Sequence, residues 1–342
     1  MQIQNAFNDN VAKFTLLPFG AWLVLHGAGF EGIEHVLAAL LVLPYILFAP
    51  TCGWLADRYA KSSVIRFSAW LQLAVLGLMA FGLWQGHLWV TILAFFLLAV
   101  QSSILSPAKM GVVKELLGSK KLALASGVME GTVILAILAG QILGGIGFDH
   151  GLRRTASAGA ENGWNAALVV VVLLWAGGLI SIALAHGVEQ TRSQSAERFR
   201  VGLMFRHFKD AAMVWRDAEL RTSVLGVAYF WGFAGFVNLV VLQVAKDLHG
   251  GGEGTGTAIS VMMTWASVGI AAGSVVAGLK SRKGIDWGLV PIGAFVMAAG
   301  FVHPGRDALR VGLAVRDAGH FRRGRRGVPR ASQRARAGPS AG

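Results

Sequence analysis

The chain has few charged residues and almost no cysteine. Of its 342 residues only 14% are charged and 54% are hydrophobic, whereas soluble domains carry roughly 25% charge. One soluble core does not explain this deficit, because such cores stop growing at about 250–300 residues. The single cysteine, Cys52, excludes a disulfide framework and a cysteine-based metal site, and we interpret it as a small apolar filler.

Sequence motifs of enzymes are also lacking. The nine histidines lie in predicted loops or at predicted helix ends, without a metal-ligand spacing such as His-Glu-x-x-His. Neither a Gly-x-Ser-x-Gly elbow nor a phosphate-binding glycine loop occurs. We therefore expect no enzymatic activity, no catalytic residue, no cofactor and no metal.

Long apolar stretches are what the sequence does contain. A helix of about 20 apolar residues spans a bilayer. Eight stretches lack Asp, Glu, Lys and Arg: Val36–Ala56, Phe67–Trp84, Leu88–Leu105, Gly131–Phe148, Trp164–Ala185, Thr222–Ala245, Thr255–Leu279 and Trp287–Val302. With the shorter Val11–Leu25 they predict nine transmembrane helices. The predicted fold class is an all-α polytopic membrane protein.

Basic residues alternate between the predicted connections. With Val11–Leu25 counted as the first stretch, the connections after the second, fourth, sixth and eighth stretches hold 17 Lys and Arg residues. The connections after the first, third, fifth and seventh stretches hold 3. Because basic residues are retained in the cytoplasm, we predict that the N-terminus and the even-numbered connections are cytoplasmic. The net charge of +13 therefore indicates membrane topology, and we expect no nucleic-acid partner.

The distribution of polar sequence divides the chain. Six predicted helices occupy residues 1–187, a polar cytoplasmic linker occupies 188–220, and three predicted helices follow in 221–302. This order is typical of transporters built from two related bundles, with the second one incomplete here. Within the linker, Phe199–Trp215 is interpreted either as a helix on the membrane surface or as a plain solvated linker.

The tail 303–342 differs from everything before it. It holds ten Arg, seven Ala and seven Gly, no Lys, and no stretch that could span a membrane. A frameshift near residue 303 would produce such a tail from a GC-rich gene. The alternative is a basic tail on the anionic inner leaflet, although a ninth helix would deliver it to the outer side.

Two motifs resemble a known superfamily. Gly53-x-Leu-Ala-Asp57-Arg58-x-x-Lys61 resembles the loop between helices 2 and 3 of the major facilitator superfamily, and Gly140-x-x-x-Gly144-Gly145 lies where that superfamily is glycine-rich. Five segments are similar to its lysophospholipid transporter family: Ala6–Asn10, Pro44–Pro50, Leu105–Gly111, Ala125–Gly131 and Trp215–Gly226. The resemblance ends where the Arg-rich tail begins.

The resemblance implies both a fold and a function. The fold would be an N-terminal six-helix bundle plus an incomplete C-terminal bundle. In the loop motif, the glycine would let helices approach, while the acid and bases would latch helix ends. The function would be flipping of lysophospholipids, chiefly lysophosphatidylethanolamine, across the bacterial inner membrane by a monomer. The family also occurs as the membrane domain of acyltransferase and acyl-carrier-protein synthetase fusions, so a cytoplasmic acyltransferase is an expected partner.

Charged residues near membrane depth are the candidate transport residues, because such groups are expensive there and usually face a cavity. They are Asp9, Lys13, Arg66, Lys109, Glu130 and Arg221. Asp9 and Lys13 are four residues apart and share a helix face. We predict that Asp9 pairs with Arg221 when the inner side is closed and that these charges meet a zwitterionic headgroup when it is open. For Arg66, Lys109 and Glu130 the alternative is an interfacial or loop charge.

The polar run Asn8-Asp9-Asn10 raises the question of where the first helix begins. Val11–Leu25 covers about 22 Å at about 1.5 Å per residue, short of a hydrocarbon core of about 30 Å. We therefore predict that Ala6–Asn10 belongs to the first helix and does not cap it in water. The related family has apolar residues before this motif, so we expect that the chain is cut short at its start.

Three other functions remain open. The chain could carry a drug, siderophore or metabolite in the same fold. Proton coupling would then need a chain of buried acids, for which only Asp9 and Glu130 are candidates. It could be the remnant membrane domain of an acyltransferase fusion, supplying anchoring and substrate. It could also be a pseudogene product without activity.

Overall fold

A computed structural model describes residues 2–155, 159–191, 193, 195, 199, 202, 206–280 and 288–300. Side chains at 2, 110, 113, 114, 116–128, 130, 206–210, 278 and 279 lie outside this description. The helices are α1 Gln2–Leu25, α2 Ile33–Arg58, α3 Lys61–Trp84, α4 Leu88–Arg154, α5 Ala160–His186, α6 Arg206–Arg216, α7 Ala218–His249, α8 Thr255–Lys280 and α9 Leu289–Gly300. The predicted all-α fold class is confirmed.

Seven segments of the described part of the chain are long and apolar enough to cross a membrane. They lie in α2, α3, each end of α4, α5, α7 and α8. The first predicted span lies in α1, which has 24 residues but an N-terminal half rich in amides. The ninth predicted span falls on the short α9. These helices form a multi-pass membrane protein.

The connection predicted between the fourth and fifth spans is helical, because α4 runs without interruption over 67 residues. It is not straight, since Ser102 contacts Asp9 while Gly140 packs against Asn10 of the same helix α1. Residues 102 and 140 of a straight helix would be about 57 Å apart. The helix therefore folds back between these contacts, and Pro107 supplies one break in its hydrogen bonding.

The centre of the first bundle is α1. Ala12 and Leu23 are fully buried and Phe14 is 1% exposed, because α1 packs against both α4 and α5. A helix that is apolar on all sides in its second half is expected in such a position. The run Asn8-Asp9-Asn10 lies inside α1, so the prediction that it is not an N-terminal cap is confirmed.

The outer surface of the helices is apolar. Trp84, Trp89 and Leu173 are each about 70% exposed, and exposed apolar surface on this scale requires a nonaqueous partner. The two tryptophans flank the short α3–α4 turn, and aromatic residues concentrate at membrane–water interfaces. This surface is suited to lipid.

Short caps and turns fix the helix ends. The carboxylate of Asp217 accepts hydrogen bonds from the backbone N–H groups of Glu219 and Leu220, which starts α7. Gly250 then ends α7 with a φ of 64°, a conformation that glycine adopts without strain. The helix α6 overlaps the predicted surface segment Phe199–Trp215 and ends one residue beyond it. Its location on a membrane stays a prediction.

By its internal contacts the chain divides into residues Met1–Ala271 and Ala272–Gly342. The described part of the second unit consists of the end of α8 and α9. The predicted boundaries at residues 187 and 220 remain predictions. The Arg-rich tail 303–342, for which a frameshift was predicted, lies outside the described residues.

Candidate transport site

A network of uncharged polar side chains lies inside the first bundle. The amides of Gln72 and Gln101 donate to Asn5 Oδ1 at 3.0 and 3.1 Å, and Gln101 also donates to Ser68 Oγ at 2.7 Å. All four of these side chains, Asn5, Ser68, Gln72 and Gln101, are buried. Since buried amides are costly without partners, this set links α1, α3 and α4 in one geometry.

The network ends at Asp9. Its Oδ2 accepts hydrogen bonds from Ser102 Oγ at 2.6 Å and Asn5 Nδ2 at 3.0 Å, while its buried Oδ1 has no hydrogen-bond partner in the described structure. A cavity of about 30 Å³ adjoins this carboxylate, lined by Asp9, Leu41, Tyr45, Leu98, Ala99 and Ser102. That volume holds a water or two. One oxygen of the Asp9 carboxylate is therefore held by two hydrogen bonds, the other has no hydrogen-bond partner among the described residues, and the carboxylate lines a small cavity.

The other charges of the predicted gate are arranged differently from the predicted pairs. Lys13 Nζ donates to Asn238 Oδ1 of α7 at 3.1 Å and lies 5.3 Å from the centroid of the Phe14 ring. Arg221 donates to the carbonyl of Trp215 at 3.5 Å. Neither cation forms an ion pair with Asp9 among the described residues.

Lys109 and Arg66 occupy distinct environments. Lys109 is half-buried on α4 and attracts the Asp9 carboxylate electrostatically. Arg66 donates to the carbonyls of Ala185 and Val188 at 3.5 and 3.0 Å, so it binds the C-terminal end of α5, where a cation is favourable. The side chain of Glu130, the sixth candidate, lies outside the described residues.

In the loop motif, Lys61 forms an ion pair with Glu115 of α4. Its stem fills the space beside Gly111, where an added Cβ would lie 2.3 Å from Lys61 Cε. Asp57 is exposed, and its carbonyl accepts a hydrogen bond from the Ser195 N–H at 3.0 Å. Arg58 is the last residue of α2, and no atom lies within 4 Å of a Cβ at Gly53.

The three predicted packing glycines face two different helices. A Cβ at Gly140 would lie 2.8 Å from the carbonyl oxygen of Phe7, and one at Gly144 would lie 2.7 Å from that of Val11. Gly145 faces α8 instead, where a Cβ would lie 2.2 Å from the carbonyl oxygen of Gly256. The C-terminal half of α4 is thus in backbone contact with both α1 and α8.

A further set of contacts surrounds that crossing, and we call it the α7–α8 junction. The buried Asp149 of α4 accepts hydrogen bonds from Thr257 N and Thr257 Oγ1, both at 2.6 Å, and so caps the N-terminus of α8. The buried Glu34 of α2 forms an ion pair with Lys246 near the end of α7. On the surface, Arg153 Nε donates to Glu253 Oε1 at 2.6 Å.

Sequence reasoning missed the network and the junction. The predicted site residues were chosen by their charge. The uncharged Asn5, Gln72 and Gln101, which lie in or beside charge-free stretches, were therefore not predicted. Uncharged amides in apolar helices are themselves a signal, because each needs a partner there. Glu34 and Asp149 lie just outside the predicted spans and were not among the predicted site residues.

The chain was compared with known proteins. A family model of the Major Facilitator Superfamily matches residues 10–309. The lysophospholipid transporter LplT of Salmonella arizonae is 32% identical over 279 residues, which are 80% of this chain and 62% of that protein. The LplT of Klebsiella pneumoniae strain 342 is 30% identical over 82% of this chain and 64% of that protein. The chain therefore spans less than two thirds of these relatives.

Among solved structures, a bacterial homologue of the human drug peptide transporters PepT1 and PepT2 is similar with a TM-score of 0.45. It is 15% identical, and the match covers 72% of this chain and 56% of that one. The predicted resemblance to lysophospholipid transporters is confirmed by the sequence relatives. The family model, which matches most of the chain, also decides the broader assignment. The chain belongs to the major facilitator superfamily.

Proposed function

We propose that this chain is a secondary transporter that moves lysophospholipids of the lysophosphatidylethanolamine class across the bacterial inner membrane by alternating access. Asp9 carries this proposal. It is a carboxylate inside the first bundle with one unpartnered oxygen beside a cavity, in a chain whose relatives are named lysophospholipid transporters. Charged groups inside a membrane bundle are expensive and are kept for function.

The charges near the cavity suit a zwitterionic headgroup. The free oxygen of Asp9 is available to an ammonium group, and Lys109 supplies a cation within electrostatic range of that carboxylate. Lys13, which contacts α7 through the amide of Asn238, is a second cation near the same helix turn. One carboxylate with two ammonium groups complements an ammonium and a phosphate. The acyl chain would lie along the apolar outer surface.

The arrangement of α7 supports an inward-open conformation. Near its C-terminal end, α7 and the start of α8 contact the first bundle through the α7–α8 junction, on the predicted outer side. Towards its predicted cytoplasmic end, Tyr229 and Trp231 are about two-thirds exposed. The ion pairs of the described residues do not include one between Asp9 and Arg221. We propose that these two residues pair when the cytoplasmic side closes.

A cytoplasmic acyltransferase is the partner that this direction of transport implies, since a lysophospholipid delivered to the inner leaflet is a substrate for reacylation. We propose that the chain acts as a monomer with its N-terminus in the cytoplasm. Labelling of single cysteines introduced at exposed Asp57 and Gln85, on opposite predicted sides, in a Cys52→Ser background tests this topology.

Uptake of labelled lysophosphatidylethanolamine into spheroplasts that lack their own transporter tests the proposed function. The chain and its Asp9→Asn variant are compared. Glu31→Gln is the control, because Glu31 is exposed and does not line the cavity. We expect uptake that Asp9→Asn reduces at least about tenfold and that Glu31→Gln preserves. Absence of uptake by the chain would refute the function.

A further inference from the structure

The hydrogen bonds around Asp9 have a consistent direction. Gln72 and Gln101 both donate to Asn5 Oδ1, which forces the amide nitrogen of Asn5 to the opposite side. That nitrogen donates to Ser102 Oγ at 3.1 Å and to Asp9 Oδ2 at 3.0 Å. The hydrogen bonds from Gln72 and Gln101 therefore set the orientation of the Asn5 amide.

Ser102 completes the chain of donors. Its hydroxyl has two acceptors within range, Asp9 Oδ2 at 2.6 Å and Gln101 Oε1 at 3.3 Å. The carboxylate is the closer of the two, and hydrogen bonds to ionised acceptors are shorter and stronger. Both donors therefore converge on one oxygen of Asp9, and the second oxygen stays without a partner.

We propose that Asn5 and Ser102 are positioning residues that hold the Asp9 carboxylate for the ligand, an inference that rests on the proposed function. They fix Oδ2, which sets the rotamer of Asp9 and leaves Oδ1 without a partner. This oxygen would meet the cationic headgroup when the adjoining cavity, which at about 30 Å³ has room only for water here, widens during transport. Gln72 and Gln101, which are less than 2% exposed, act indirectly, because their hydrogen bonds fix the orientation of Asn5.

Burial explains why such support is needed. A carboxylate inside an apolar bundle has little water around it to orient it, and a side chain with free rotamers would lose entropy on each binding event. Hydrogen bonds that already fix the rotamer in the free protein remove this entropy loss. Residues that hydrogen-bond to metal-ligating side chains in metal sites orient those side chains in the same way. The same bonds also connect α1 to α3 and α4, so a structural role has to be separated from a positioning role by experiment.

Adjacent serines offer a matched pair of variants. Ser102 and Ser103 are 5% and 2% exposed, but Ser103 contacts only the Cys52 thiol, at 3.5 Å, among the hydrogen bonds of the described residues. Ser102→Ala and Ser103→Ala therefore remove the same atom from neighbouring buried positions. Asn5→Leu is a second variant that removes the other donor to Asp9.

The experiment measures uptake of labelled lysophosphatidylethanolamine as a function of its concentration in the same spheroplasts. Loss of one hydrogen bond to a charged group predicts about a tenfold rise in KM with kcat preserved for Ser102→Ala. Asn5→Leu should raise KM as well, but it also removes the acceptor of Gln72 and Gln101 and so should lower the maximal rate through a smaller amount of folded protein. Ser103→Ala should match the parent. A purely structural defect would lower the amount of active protein, which reduces the maximal rate and leaves KM unchanged, and would overturn the proposal.

A double-variant comparison gives the second readout. If Ser102 acts through Asp9, then Ser102→Ala adds less than about a twofold effect in an Asp9→Asn background. A full tenfold effect in that background would overturn the positioning role while leaving the transport function intact. If the parent chain shows no uptake at all, the proposed function fails first and this inference fails with it.

Discussion

Replacement of Gly145 by alanine should open the α7–α8 junction. The new Cβ would lie 2.0 Å from Ser260 Oγ and 2.2 Å from the carbonyl oxygen of Gly256. The serine can rotate, but the backbone oxygen cannot, so α8 must retreat by about 1 Å to reach ordinary contact distance. Overpacking of this kind costs about 1–3 kcal/mol. Since about 1.4 kcal/mol is a factor of ten in an equilibrium constant, the closed junction should become about tenfold less favoured.

Cysteine labelling in detergent measures this opening without assuming a topology. Ala21→Cys, in a Cys52→Ser background, is the reporter because Ala21 is 2% exposed and its carbonyl adjoins the α7–α8 turn. We expect labelling to be about tenfold faster with Gly145→Ala. The control is Gly147→Ala, whose Cβ would lie 3.4 Å from a side-chain methyl group.

Unfolding has to be separated from opening in this assay. Ala94→Cys, at a fully buried position in the first bundle, should stay unlabelled in all variants. Equal labelling of Ala21→Cys with Gly145→Ala and with Gly147→Ala would refute a backbone-tight crossing of α4 and α8.

Three further predictions test other contacts. Gly144→Ala should lower the thermal midpoint, because its Cβ would lie 2.7 Å from the carbonyl oxygen of Val11 in α1 and cost about 1–3 kcal/mol; an unchanged or raised midpoint would contradict this. Asp149→Ala should cost about 1 kcal/mol through loss of the cap on α8, and Thr257→Val should add little to it. Lys61→Met should be less harmful to the midpoint in a Glu115→Gln background than alone, since Lys61→Met alone takes the cation of this ion pair away from the Glu115 carboxylate.

Much of the fold could be predicted from hydropathy alone. Charge-free stretches predicted the spans in α2, α3, α5, α7 and α8, because a bilayer imposes both length and apolarity. Helix ends were less accurate, since α7 extends from Ala218 to His249 beyond its apolar centre. The helical course of α4 through the fourth connection could not be foreseen, because basic residues such as Lys109 and Lys121 fit a loop equally well.

The candidate site was predictable only in part. Asp9 was identified from the cost of a charge at membrane depth, and Gly144 and Gly145 from their spacing. Their partners could not be read from the sequence, since hydrogen bonds such as Ser102 to Asp9 join residues 93 positions apart. A single sequence also gives no register between helices, which is why the contact of Lys13 with Asn238 was not foreseen.

Reconstitution of the purified chain into liposomes tests the central claim most directly. A fluorescent lysophosphatidylethanolamine is added to the outer leaflet, and its transfer is followed as protection from a membrane-impermeant quencher. We predict transfer that depends on the chain, that Asp9→Asn reduces at least about tenfold through loss of a charged contact, and that Glu31→Gln, at an exposed position, leaves unchanged. Transfer no faster than in protein-free liposomes, or an Asp9→Asn rate equal to that of the parent, would contradict it.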